Sequence, residues 1–70
     1  MKNEICITVK ELEVLNLYSN DVPEKLIADK MNISKSTVDT HLANVRRKLN
    51  THSSHSAVMT ALRLGIINLF

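Results

Sequence analysis

Apolar residues recur in four short clusters, each at helical spacing. In the first, Leu12, Val14, Leu15, Leu17 and Tyr18 follow Thr8-Val9-Lys10-Glu11. A threonine hydroxyl that accepts from a first-turn amide, with a glutamate three residues on reaching back, is a capping box, so a helix is predicted over about 9–20. Its apolar stripe is broad, as a helix packed by more than one neighbour requires. Asn20-Asp21-Val22-Pro23 reads as a turn, and Pro23 suits the first position of a second helix over about 23–31, whose apolar set is Leu26, Ile27, Ala28 and Met31. Ala28 is small enough to let another helix approach closely. Asn32 tolerates the left-handed conformation that ends a helix, and Ser34 is a favoured N-cap for the next.

The third helix, predicted over about 35–49, has the cleanest stripe: Val38, Leu42, Val45 and Leu49 at i, i+4, i+7 and i+11. Its other faces hold Lys35, Ser36, Asp39, Thr40, Ala43, Asn44, Arg46 and Arg47. Asn50 can end it as Asn32 ends the second. Ser53 or Ser54 caps a fourth helix over about 54–65, with Ala57, Val58, Met59, Ala61, Leu62 and Leu64 running up to Gly65. That set covers more than one face. Either this helix lies deep between the first and third, or Val58, Met59 and Leu62 form a second contact such as a dimer seam. Met31 and Met59 read as core filler.

The expected fold is all-α, a compact four-helix domain over residues 1–70. One glycine and one proline in 70 residues leave little material for the tight turns of a multi-stranded sheet. Seventy residues make one domain at most, and 44% hydrophobic with 23% charged residues is a globular composition. Cys6 is alone, so no intrachain disulfide forms, which fits a reducing compartment. No run of 18 apolar residues and no basic-then-apolar leader occurs, so a cytoplasmic protein without membrane contact is expected.

Charge is unevenly placed. Residues 1–34 carry four cations against six anions, whereas residues 35–50 carry Lys35, Arg46, Arg47 and Lys48 against Asp39 alone. A helix-sized segment that concentrates positive charge is the footprint of a polyanion-binding face. The tight junction between helices two and three then acquires a purpose. Two helices joined by a three-residue turn, with a small residue at the contact, form a helix-turn-helix, here about 23–42, whose second helix enters the DNA major groove. Its amino end offers free amides to a phosphate, and Ser34, Ser36 and Thr37 add hydroxyl donors, with Lys35 beside them. Arg46, Arg47 and Lys48, three turns on, reach backbone phosphate. Taken singly, Ser34 also fits a simple cap, and the Arg-Arg-Lys run also fits the dipole at the carboxyl end of its helix.

Other chemistry is poorly supplied. Cys6 has no evident base, and the serines stand where caps belong. His52 and His55 lack a third ligand nearby, and His41 is alone on its helix, so neither a metal, a cofactor nor a small-molecule ligand is expected. Tyr18 and Phe70 are the only aromatic residues, too few for an RNA-stacking platform.

The chain also resembles the LuxR-type (GerE-type) DNA-binding domain of bacterial transcription regulators. The matching residues are Thr8, Glu11, Val14-Leu15, Lys25, Ile27-Ala28, Met31, Ile33-Ser34, Thr37-Val38, His41-Leu42, Asn44-Val45, Lys48-Leu49 and Ala57. The resemblance implies that the third helix reads DNA and that the fourth commonly dimerises. It places Lys25, Ser36, Thr37 and His41 near the phosphate backbone, and Asp39, Thr40 and Ala43 toward base edges; Asn44 shares that face. Three positions depart from the family pattern. Asp39 stands where a basic residue is usual, Asp21 where glycine follows the first helix, and Ser54 where arginine opens the fourth. The expectation is a sequence-specific binder of double-stranded DNA, acting as a homodimer or a heterodimer. The rival is a LuxR-like interaction module that works through a partner regulator, which Asp39 favours and the Arg46-Arg47-Lys48 cluster opposes.

Overall fold

The computed structural model describes residues 6–67, and these form four helices without strands: α1 (Val9–Ser19), α2 (Glu24–Met31), α3 (Lys35–Lys48) and α4 (Ser54–Arg63). The all-α expectation holds, with element ends within two residues of those predicted. The capping box opens α1 as expected: the Thr8 hydroxyl accepts from the Glu11 amide at 3.1 Å, and the Glu11 carboxylate accepts from the Thr8 amide at 3.1 Å. Pro23 differs from expectation. It sits at the N-cap of α2, extended at φ −60° and ψ 149°, and contributes no side-chain cap. Ser34 caps α3 and Ser53 caps α4, each hydroxyl accepting from the amide three residues on.

All four helices close in the same way, and this explains how a chain with one glycine makes such short connections. After each helix one residue takes positive φ: Asp21 at 64°, Asn32 at 58°, Asn50 at 57° and Gly65 at 76°. In each case the next amide turns back to a carbonyl five residues earlier: Val22 to Leu17, Ile33 to Ala28, Thr51 to Arg46 and Ile66 to Ala61. This pattern satisfies carbonyls that the helix end would otherwise leave unpaired. Asparagine and aspartate reach the left-handed region at lower cost than other side chains, but still above glycine. Asp21→Gly is therefore expected to stabilise the domain by about 0.5 kcal/mol, read as a rise of a few degrees in Tm. A fall would mean that the Asp21 side chain stabilises this turn by more than the backbone strain costs.

Helix α3 is central and packs against the other three. Its Val38, Leu42 and Val45 meet Val14 and Leu15 of α1, Ile27 and Ala28 of α2, and Ala57 and Ala61 of α4 in one core. Burial of α3's apolar stripe on all sides fixes its phase, so its polar residues are displayed outward as a set. Helix α4 packs chiefly on α3 and does not lie deep between α1 and α3. Met59 is 51% exposed and so is not core filler, whereas Met31 packs against the core as expected. No described helix is long and apolar enough to cross a membrane.

Candidate nucleic-acid interface

At 3.6 residues per turn, the outward surface of α3 divides into three strips. Ser36, Thr40, Ala43 and Arg47 run down the middle. Lys35, Asp39 and Arg46 form the flank beside α2 and α4. Thr37, Asn44, His41 and Lys48 form the flank beside α1. The residues predicted to face DNA thus share one helix surface, apart from Ser34 at its cap and Lys25, which is exposed on α2.

At the amino end of α3 the hydroxyls are linked. Ser34 Oγ lies 2.8 Å from Thr37 Oγ1 and 3.1 Å from Ser36 Oγ, and it accepts from the Thr37 amide at 3.1 Å. Thr40 Oγ1 donates to the Ser36 carbonyl at 3.0 Å, so toward an outside group the Thr40 oxygen is left as an acceptor. His41 is half-buried, and its Nδ1 is buried without a hydrogen-bond partner.

The cations of α3 separate into two kinds, and here the structure corrects the sequence reading. Lys48 points away from Arg46 and Arg47 and is paired with a carboxylate of α1. Its Nζ lies 2.6 Å from Glu11 Oε1, and the Glu11 side chain is 6% exposed. Burial, the largest single influence, pushes the Glu11 carboxyl upward, but Lys48 and Thr8 together outweigh it and hold the group below its ordinary 4.5. Lys48 therefore pins the far end of α3 to the start of α1. Arg47 is exposed, and its Nη1 donates to Asn44 Oδ1 at 2.9 Å. Arg46 is half-buried, and its Nη1 donates to Ser54 Oγ at 2.9 Å, joining α3 to α4. Ser54 thus fills the position of the family's usual arginine by fastening one from α3.

Lys35 is also engaged. Its Nζ lies 3.4 Å from Glu24 Oε1 on α2 and 3.5 Å from Asp39 Oδ2 one turn along α3. Asp39, then Glu24, raise the Lys35 ammonium above its ordinary value. The contact with Asp39, and then burial, push Glu24 above 4.5, whereas Asp39 is held below 3.8 chiefly by Glu24, against desolvation, with Lys35 and then Arg46 adding to the downward pull. Lys35, Glu24 and Asp39 together carry one net negative charge where a basic residue is usual in the family, and Arg46 is near enough to Asp39 to offset part of it. Glu24 was missed in the sequence because a first-turn glutamate reads as a helix-dipole partner; only the angle between α2 and α3 brings it to Lys35.

Beside α4, Tyr18, Asp21, Val22, Val58, Met59 and Leu62 line part of an open groove of about 460 Å³. Of the residues expected at a dimer seam, Val58 is used by the domain's own core, Leu62 is half-buried, and Met59 is exposed.

Two helices joined by a three-residue turn, the second displaying hydroxyls and arginines on one surface, define a helix-turn-helix domain. Residues 6–61 match the family described as bacterial regulatory proteins, luxR family, and the chain belongs to that family. It is 36% identical over 63 residues to the spore germination protein GerE of Bacillus subtilis (strain 168), covering 90% of this chain and 85% of that one. It is 38% identical over 60 residues to the response regulatory protein YgeK of Escherichia coli (strain K12), covering 86% of this chain but only 41% of the relative. The solved structure of the transcription factor GerE superposes over the whole of both chains with a TM-score of 0.86 at 30% identity. The chain is therefore a DNA-binding helix-turn-helix of the transcription-regulator type and not an enzyme.

Proposed function

We propose that the chain binds double-stranded DNA sequence-specifically, with α3 in the major groove and a second copy of the domain packed through α4. The observation that carries this reading is the single outward surface of α3, where Ser36, Thr37, Arg46 and Arg47 surround Asp39, Thr40, Ala43 and Asn44. In this arrangement Lys25, Ser34, Ser36, Thr37, His41, Arg46 and Arg47 meet phosphates, and Asp39, Thr40, Ala43 and Asn44 meet base edges. Lys35 contributes to phosphate binding only if it leaves its carboxylates. Exposed Met59 and half-buried Leu62, beside the groove, supply the seam between the two copies.

Two arginines test the reading and are expected to differ. Arg47→Ala should weaken binding to all sequences and flatten the salt dependence by about one phosphate equivalent. Arg46→Ala should do the same and also lower Tm, because it severs the tie to Ser54. Salt slopes that stay unchanged in anisotropy titrations of both variants would remove these arginines from the interface. A second reading, action through a partner regulator, is favoured by the negative excess around Lys35. It requires that random duplex DNA stay unbound at low salt.

A further inference from the structure

We infer that Glu24 sets the base preference of the proposed DNA surface by holding Lys35 against Asp39, so that Asp39 is presented as a fixed acceptor for a cytosine amino group. The inference rests on the DNA-binding reading above. Asp39 is exposed on the α3 surface, and its ammonium partner is shared with a carboxylate from a different helix. An aspartate four residues from a lysine on one helix makes a pair that opens and closes freely. A third group anchored on α2 restricts that freedom, because Lys35 gives up two partners if it swings to a phosphate. An ionised carboxylate is acceptor-only. In the major groove only cytosine N4 and adenine N6 carry donor hydrogens, and adenine sets its N7 acceptor beside N6, where it faces a carboxylate unfavourably. Cytosine is the base that remains. Without the ammonium, Asp39 would meet the flanking phosphates with only the more distant Arg46 to offset its charge, so its approach to a base edge depends on Lys35 staying in place. Glu24 is thus a positioning residue, and Asp39 is the group that touches the base.

Selection from a randomised duplex pool, followed by titration of the selected site carrying each base in turn, tests this on the full chain. The wild type should prefer cytosine at one position by roughly tenfold. Asp39→Asn should move that preference to adenine at the same position, because an amide pairs with adenine N6 and N7. Glu24→Gln should reduce the cytosine preference and steepen the salt slope by about 0.9, the signature of one lysine released to phosphate. A residue needed only for folding would not steepen the slope. Lys35→Gln, at an exposed position, should lose the same preference without steepening, and combining it with Glu24→Gln should lose no more, because the two act as one unit. It also carries the test if Glu24→Gln fails to fold. A selected site whose preference survives Asp39→Asn overturns the inference. So does a Glu24→Gln protein that keeps both the wild-type preference and the wild-type slope. If the wild type binds no duplex at low salt, the DNA-binding reading itself falls and this inference falls with it.

Discussion

Lys48→Met is expected to cost the domain about 2–3 kcal/mol, which for a chain of this size is a drop in Tm of about 10–20 °C. The methionine keeps the length and apolar stem of the side chain but removes its charge. Glu11 is then left 4% exposed with only the Thr8 amide to serve its carboxylate. Breaking a buried pair from one side costs more than the pair was worth, because the remaining charge is desolvated without a partner. The full range for such a break is discounted here, because the Lys48 side chain is itself 26% exposed. Glu11→Gln in the same background should recover part of the loss.

The pH dependence distinguishes this from ordinary packing loss. In the wild type Glu11 is held below 4.5, so its contribution is present above that value and is lost as pH falls through the folded-state value. In Lys48→Met the burial effect acts with far less opposition and the folded-state value rises above the unfolded one. That contribution is then destabilising at neutral pH, and it shrinks as pH falls toward the raised folded-state value. Thermal melts should therefore converge on acidification, the variant gaining while the wild type has not yet begun to lose. Parallel melting curves from pH 7 to 5 would show that Glu11 is solvated in the folded state and that the pair does not pin α3 to α1.

This pair also shows what the sequence could and could not reveal. The helices were legible because each carries a local signal: a cap, a 3.6-residue apolar stripe, and a residue suited to positive φ at its end. The capping role of Glu11 was legible for the same reason. Its second role was not, because Lys48 lies 37 residues away and the contact exists only once α1 has packed on α3. Read in sequence, Arg46-Arg47-Lys48 is a run of like charges. On the helix its members point in different directions, toward Ser54, Asn44 and Glu11. Helical phase alone could have separated Lys48, which falls on the flank opposite Lys35 and Arg46. The partner of Lys35 could not be found that way, because the reach of Glu24 depends on how two helices cross.

Asp39→Lys is expected to raise affinity for random duplex DNA by between roughly 15- and 200-fold at 50 mM salt, and to steepen the salt slope by about one to two. The lower figure counts one new phosphate contact, since a slope of about 0.9 per contact extrapolated from 1 M to 50 mM salt is worth roughly 15-fold. The higher figure counts two, because the substitution also removes one of the two carboxylates that hold Lys35. Glu24 still competes for that ammonium, which keeps the gain between the limits. The position is exposed on α3, so stability should change by less than about 0.5 kcal/mol. A gain with an unchanged Tm places the α3 surface against phosphate and identifies the native aspartate as a brake on non-specific binding, exchanged for selectivity at one base. Unchanged affinity in a folded variant would mean that the added lysine and the partly released Lys35 find no polyanion there. The surface would then be one that meets a partner protein, and the acidic residue part of what that partner recognises.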